Sequence, residues 1–246
     1  MSKTFFISDV HFGLGNKEEE QTKQIVFCSF LDYASRTGNE LYILGDLFDV
    51  WFEYKRVIPK GHHRILTKLE DLTRKNISVH YLLGNHDFWS EDYFEKELGV
   101  KMYREPFEKI IEGKRFYFHH GDGLALRDTG YRILKKILRN PFIISLYKNM
   151  LHPDWGIKLA TVSSHTSRNY TSHKHYGEQD GMLLFAKEKF KQGFDFVLMG
   201  HNHEPKYENV EGKLYVNLGD WMTHFTYGEF ENGMLELKKW KGEVER

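Results

Sequence analysis

The chain has 246 residues, of which 40% are hydrophobic, and its formal net charge at pH 7 is zero. This length and apolar content suffice for one large domain with a buried core, and the zero net charge gives no electrostatic reason to expect a nucleic acid partner. The single cysteine, Cys28, excludes an intrachain disulfide. With no signal pattern and no apolar run near the ~20 residues that span a bilayer, we expect a soluble, cytoplasmic protein.

Short apolar runs alternate with helical patterns along most of the chain. The runs that predict largely buried strands are residues 5–7, 41–44, 80–83, 115–118 and 194–199. The patterns that predict helices are residues 17–36, 62–76 and 181–191. Because strands that alternate with helices form a sheet covered by helices, the expected fold class is α/β.

Residues 127–174 interrupt this alternation. They predict two or three short helices, separated at Asn140-Pro141 and at His152-Pro153. The segment holds nine Lys or Arg residues against two acids, which favours either a solvated basic helix face or a surface that faces an anion. An insertion at this position is a natural lid.

The pattern changes again near the carboxyl terminus. Residues 225–230 and 234–240 flank the turn pair Asn232-Gly233. This arrangement predicts a β-hairpin.

Each predicted strand runs into a short motif that carries metal-ligand side chains. The motifs are Asp9-Val10-His11, Gly45-Asp46, Gly84-Asn85-His86-Asp87, His119-His120-Gly121-Asp122 and Gly200-His201-Asn202-His203. One such motif arises by chance in many proteins, whereas the ordered set supplies carboxylate, amide and imidazole ligands for two divalent ions. Ligands gather beyond the carboxyl ends of strands in α/β sheets, so we expect the motifs to form one centre.

Two ions about 3.5–4 Å apart need one shared ligand. Asp46 is the predicted bridge, because a carboxylate can bridge two ions whereas an imidazole does not readily do so. Residues two apart on an extended strand point the same way, which would hold the two ligands of one motif on one side. The other predicted ligands are Asp9, His11 and His203 for the first ion, and Asn85, His120 and His201 for the second.

His86 is predicted to be catalytic without being a first-choice ligand. It follows Asn85 closely enough to reach a bound phosphate, where it could stabilise the transition state or protonate the leaving oxygen. Asp87 is predicted either to orient His86 or to brace the turn.

Two further acids, Asp49 and Asp122, are predicted either to accept from ligating imidazoles or to cap the local backbone. Between the neighbours His119 and His120, the second is the predicted ligand, because Gly121 follows it directly. The histidines predicted to be solvated or in loops are His62, His63, His152, His165, His173, His175 and His224.

In this order the motifs resemble those of the calcineurin-like metallophosphoesterase superfamily: D-x-H, G-D, G-N-H-D, H-G and G-H-x-H. The resemblance covers residues 9 to 203. It implies an αββα sandwich that forms a single domain over residues 1–246, with residues 127–180 as a helical lid insertion. It also implies a hydrolase that uses two divalent ions.

Within the superfamily, the chain is similar to the UDP-2,3-diacylglucosamine hydrolases of bacterial lipid A synthesis, notably over residues 42–49, 120–122 and the helical insertion. This implies attack on the α-phosphate of a UDP-diacyl-sugar lipid, with release of UMP and 2,3-diacylglucosamine 1-phosphate (lipid X). Mn²⁺ is the implied ion, and the mixed oxygen and nitrogen ligands also admit Fe or Zn. We therefore expect peripheral attachment to the cytoplasmic face of the inner membrane and no nucleic acid partner.

The resemblance also implies substrate-binding residues on the insertion. These are Asp128, Tyr131, Ser167 and Lys174. Two positions depart from the family pattern: His86 and Ser164 each stand where better-known members carry Arg.

Two other functions remain open from the sequence. A general phosphodiesterase or phosphatase, or a nuclease, could use the same metal ligands, although a nuclease would need a broad basic stripe. A binding platform without activity would have lost metal ligands, and all seven expected ones are present. Activity on DNA against a UDP-sugar lipid separates the enzymes, and metal content identifies a platform.

Overall fold

The computed structural model describes residues 3–125, 129–171 and 178–242. Within them the chain forms eleven strands and seven helices. The strands are β1 (Lys3–Ile7), β2 (Gly38–Leu44), β3 (Ser78–Leu82), β4 (Lys101–Tyr103), β5 (Phe107–Ile111), β6 (Lys114–Phe118), β7 (Phe196–Met199), β8 (Lys206–Val210), β9 (Lys213–Asn217), β10 (Thr226–Glu231) and β11 (Met234–Lys239). The helices are α1 (Lys17–Thr37), α2 (His63–Arg74), α3 (Tyr93–Lys96), α4 (Thr129–Leu138), α5 (Pro141–Met150), α6 (Pro153–Thr171) and α7 (Glu178–Lys191).

The strands form two sheets. The six-stranded sheet has the order β11-β10-β1-β2-β3-β4, and the five-stranded sheet has the order β5-β6-β7-β9-β8. Strands β1, β2, β3 and β4 are parallel neighbours in the first sheet, as are β6, β7 and β9 in the second. The carboxyl ends of these central strands carry the loops that hold the five motifs.

Side-chain alternation along the central strands builds the layers. In β1, Phe5 and Ile7 pack with residues of α1 and α2, whereas Phe6 packs between the two sheets. In β7, Leu198 faces the same layer between the sheets, whereas Val197 packs against α7. Helices therefore cover the outer face of each sheet, which confirms the predicted α/β sandwich.

The first helix begins at a capping box. The side chain of Asn16 accepts hydrogen bonds from the amides of Glu18 and Glu19 at 3.0 Å, and the Glu19 carboxylate accepts from the Asn16 amide at 2.9 Å. These contacts satisfy amides that a helix start leaves without partners. They hold the end of the loop between β1 and α1, which contains His11.

All five predicted strands are present, as β1, β2, β3, β6 and β7, and the predicted hairpin is β10–β11. Its turn residues Asn232 and Gly233 both have positive φ, as a type I′ hairpin turn requires. The insertion holds α4, α5 and α6, with α5 and α6 starting at the predicted prolines. His62 differs from prediction: it is buried beside the rings of Phe48 and Trp51.

In the described part of the chain, no helix combines the length and apolar character needed to cross a membrane.

Candidate metal centre

The predicted ligands meet at the carboxyl edge of both sheets. Asp9 and His11 follow β1, Asp46 follows β2, and Asn85 follows β3 in the six-stranded sheet. The remaining predicted ligands, which follow β6 and β7 in the facing sheet, are His120, His201 and His203. The centre therefore lies where the two sheets converge.

Left-handed backbone conformations distinguish this centre. The φ angles are 54° for Asp9, 50° for His11, 54° for Asp46, 74° for His201 and 61° for His203. Non-glycine residues adopt such angles infrequently, Asp and His more readily than most, and a concentration of them is typical of functional sites.

The expectation that strand alternation orients Asp9 and His11 is therefore wrong. Strand β1 ends at Ile7, and the main chain then turns so that the amides of Val10 and His11 both donate to the Asp46 carbonyl, at 2.9 and 3.0 Å. Hydrogen bonds between two loops, rather than the pleat of a strand, aim these side chains.

Glycines allow the loops to approach one another closely. A Cβ on Gly45 would lie 2.8 Å from the Cα of Gly84 and from Cγ of the His120 ring. A Cβ on Gly84 would lie 2.7 Å from the amide nitrogen of Asp46. Side chains at these two positions would push the ligand-bearing loops apart.

The first group of donor atoms comes from Asp9, His11 and His203. The Nε2 atoms of His11 and His203 lie 3.2 Å apart, and Asp9 Oδ1 lies 3.7 Å from the former and 3.4 Å from the latter. These atoms all lie close enough to hold one ion.

The second group comes from Asp46, His120 and His201, with Asn85 beside them. His120 Nε2 lies 3.2 Å from Asp46 Oδ2 and 3.0 Å from Asn85 Oδ1. Asp46 Oδ2 also lies 3.7 Å from His11 Nε2, so one carboxylate oxygen faces both groups.

One carboxylate oxygen of this centre is buried without a hydrogen-bond partner, which favours a bound cation. The Oδ2 atom of Asp9 accepts from the Ser8 hydroxyl and from the His201 amide, but Oδ1 is buried with no hydrogen-bond partner. Burying a carboxylate oxygen without a partner is costly, and a bound cation removes that cost. Sequence reasoning did not identify Ser8, although it directly precedes the first motif.

The pKa values reflect the same concentration of charge. Burial raises the pKa of Asp46, but the imidazoles of His120, His86 and His11 outweigh it and hold that pKa well below its usual range. Burial lowers the pKa of His120, yet Asp46 and Asp9 raise it to about 10. The buried carboxylates therefore favour positive charge beside them, which divalent ions supply.

The residues present fit a divalent metal, because carboxylate and imidazole atoms of mostly buried residues converge within ligand range, with the Asn85 amide oxygen beside them. Such ions, when bound, polarise a phosphoryl oxygen and lower the pKa of water. The orientation of the His120 ring suits metal binding. Its Nδ1 donates to the Leu44 carbonyl at 2.8 Å, which leaves Nε2 for a metal.

His86 lies beside the donor groups. Its amide donates to Asp46 Oδ1 at 2.9 Å, and its Nδ1 donates to the Asp49 carbonyl at 2.8 Å. The ring therefore presents Nε2, which lies 4.0 Å from Asp46 Oδ2. This atom can face a bound phosphate, and with His11 and Asp46 it forms a third group that could hold an ion.

Asp87 braces the turn, which was one of its two predicted roles. Its carboxylate accepts from the amides of Leu47 at 2.9 Å and Gly84 at 2.7 Å, and from the Tyr81 hydroxyl. The loops after β2 and β3 are thereby tied to each other.

We expect Asp87→Ala to lower the free energy of unfolding by about 3 kcal/mol, because it leaves buried donors without an acceptor. Chemical denaturation monitored by circular dichroism measures the change. Asp92→Ala is the control, because Asp92 is largely exposed. Equal stability of the two variants would contradict the bracing role.

The other predicted acids have different partners. Asp49 Oδ1 lies 3.5 Å from His11 Nδ1, as expected for an acceptor that orients a ligand. Asp122 instead faces the insertion: its carboxylate lies 2.7 Å from Lys135 Nζ and 3.5 Å from the Arg139 guanidinium.

The four predicted substrate-binding residues belong to the insertion. Asp128 and Lys174 lie outside the described residues. Tyr131 lies in α4 and Ser167 in α6, and the structure describes only their backbone.

A two-sheet α/β sandwich whose Asp, Asn and His side chains meet at the strand ends is the arrangement of a metal-dependent hydrolase. The family model for calcineurin-like phosphoesterase matches residues 2–205. The chain belongs to this family, and it is a hydrolase of phosphoester or pyrophosphate bonds.

Several relatives align over most of both chains. UDP-2,3-diacylglucosamine hydrolase of Porphyromonas gingivalis is 30% identical, over 96% of this chain and 97% of the relative. The enzyme of that name from Nitrosococcus oceani is 31% identical over 89% and 87%, and that from Proteus mirabilis is 31% identical over 95% and 97%. Among solved structures, the phosphoesterase Yfce from E. coli is similar at a TM-score of 0.49 and 15% identity, over 97% of this chain and 93% of that chain.

Proposed function

We propose that this chain hydrolyses UDP-2,3-diacylglucosamine at the α-phosphate, producing UMP and 2,3-diacylglucosamine 1-phosphate. The observation that carries the proposal is the similarity to hydrolases of that name across almost the whole chain, including the insertion. A resemblance confined to the metal centre would support only a general phosphoesterase.

The surface beside the centre supports a lipid substrate. A cavity of about 590 Å³ lies between the loop after β3 and helix α5, with Leu83, Phe88, Trp89 and Ile144 among its lining residues. Large apolar side chains are also exposed along the helices of the insertion: Ile133, Leu134, Ile137, Phe142, Leu146, Met150 and Trp155. Acyl chains bind such surfaces with about 0.8 kcal/mol for each buried CH₂.

The proposal assigns a task to each part of the centre. Asp46 would be shared by two divalent ions, with Mn²⁺ proposed for both, and the other six predicted ligands would complete their binding. The His86 ring stabilises charge that develops on the attacked phosphate or protonates the leaving oxygen. The residues proposed to hold the headgroup are Asp128, Tyr131, Ser167 and Lys174.

The exposed apolar side chains of the insertion also support a proposed site of action. They would enter the interface of a lipid bilayer, where the diacyl substrate resides. The protein would then act as a peripheral protein on the cytoplasmic face of the inner membrane, with residues 127–180 as its lid.

The test compares kcat/KM for the lipid substrate, its deacylated UDP-sugar and a small chromogenic phosphodiester. Wild type is expected to prefer the lipid. Ile144→Asp is expected to lower this preference about 100-fold, because it replaces an apolar contact to the acyl chains with a hydrated carboxylate, at a cost of roughly 3 kcal/mol.

Ile110→Asp is the matched control, since Ile110 is 67% exposed on β5 in the facing sheet. It is expected to keep the wild-type preference. Indifference of the wild-type enzyme to acylation would reject the lipid substrate and leave a general phosphodiesterase or phosphatase.

A further inference from the structure

The Arg139 side chain joins the insertion to the metal centre. Its Nη2 donates to the Gly84 carbonyl at 3.0 Å and lies 3.5 Å from Asp122 Oδ2. The guanidinium carbon lies 5.5 Å from the centre of the Phe88 ring. Gly84 directly precedes the proposed ligand Asn85, so the guanidinium lies at the border between the centre and the 590 Å³ cavity.

The charge of Arg139 is not needed to neutralise Asp122. Lys135 already pairs with that carboxylate at 2.7 Å, closer than the arginine. Both polar contacts of Arg139 use Nη2, and among the described residues no hydrogen bond engages its Nη1 or Nε. The Arg139 side chain is four-fifths buried in the wall of a cavity, and its guanidinium keeps N–H donors that can bind an anion.

The cavity lining as a whole favours an anion. It contains four cationic side chains and two carboxylates. Of the other cations, Arg104 donates to the carbonyls of Ser90 and Glu91, and Lys148 pairs with the Glu91 carboxylate. Arg139 differs from these two cations because it contacts the Gly84 carbonyl, beside the metal centre.

We infer that Arg139 binds the second phosphate of a diphosphate substrate, the one that leaves with the sugar lipid. This inference rests on the proposed function, in which the metal centre and His86 hold the attacked phosphate. The neighbouring phosphate then enters the cavity mouth beside Gly84, and the acyl chains continue past Phe88. A planar guanidinium can donate two parallel hydrogen bonds to such a phosphate. Arg139 therefore makes the site selective for diphosphates.

The test measures binding of UDP and of UMP to the Mn²⁺-loaded protein by calorimetry. We expect wild type to bind UDP more tightly than UMP, and Arg139→Gln to lower that ratio about ten- to hundredfold, as loss of a hydrogen bond to a charged group does. Arg139→Lys, which keeps the charge but not the fork, should fall between the two. Lys136→Gln removes an exposed charge from the last turn of α4, three residues before Arg139, and should keep the wild-type ratio.

The inference would be overturned if wild type bound UDP and UMP equally tightly. It would also be overturned if Arg139→Gln and Lys136→Gln had the same ratio of UDP to UMP affinity. A parallel assay of lipid hydrolysis separates it from the proposed function. If the protein hydrolyses the lipid but its ratio of UDP to UMP affinity does not depend on Arg139, the inference is wrong and the proposed function stands. If the ratio of UDP to UMP affinity depends on Arg139 but the protein does not hydrolyse the lipid, the diphosphate site stands and only the proposed lipid substrate is rejected.

Discussion

Asp46→Ala is expected to abolish hydrolysis and to remove both metal ions. One carboxylate oxygen of Asp46 faces His120 at 3.2 Å and His11 at 3.7 Å, so its loss opens both groups at once. Asp46 is 1% exposed. Metal analysis by mass spectrometry and kcat measured with added Mn²⁺ give the result.

Thermal unfolding provides a second readout for the same variant. A ligand that binds only the folded state raises the melting temperature, so Mn²⁺ should stabilise wild type and not Asp46→Ala. Asp92→Ala, which removes a largely exposed carboxylate, should respond to Mn²⁺ as wild type does. Two ions retained per chain in Asp46→Ala would reject the bridging role.

His86→Ala is expected to retain both ions and to lower kcat by about 10²–10⁴-fold, the usual effect of losing a positioned acid or a transition-state donor. The Asp49 carbonyl fixes the ring through Nδ1, which directs Nε2 toward the donor groups. Stopped-flow kinetics with the proposed lipid substrate, together with metal analysis, measures both quantities.

The control for this variant is His63→Ala. His63 is exposed and lies in α2, so kcat should remain at the wild-type value. Loss of one ion from His86→Ala would identify His86 as a ligand, in agreement with the group it forms with His11 and Asp46. A normal kcat with both ions present would remove His86 from the mechanism.

Strands such as β1 and β7 were predictable because burial on both faces gives them a continuous apolar run. Four other strands were not predicted. Among them, β5 and β8 are partly exposed along most of their length, with burial patterns that alternate between intermediate and exposed residues. Their sequences carry little apolar signal, and pairing with β6 and β9 determines their conformation.

The sequence by itself determined the order and chemical type of the predicted ligands, because each motif follows a strand that its own apolar residues define. Only the tertiary structure decided how those ligands meet. The left-handed turns at Asp9 and His11 depend on hydrogen bonds to the carbonyl of Asp46, which is distant in sequence. Likewise, His120 reaches Asp46 only because apolar side chains such as Phe6 and Phe116 hold the two sheets face to face. Contacts between distant segments have no local pattern, so strand periodicity gave the wrong reason for the common direction of the Asp9 and His11 side chains.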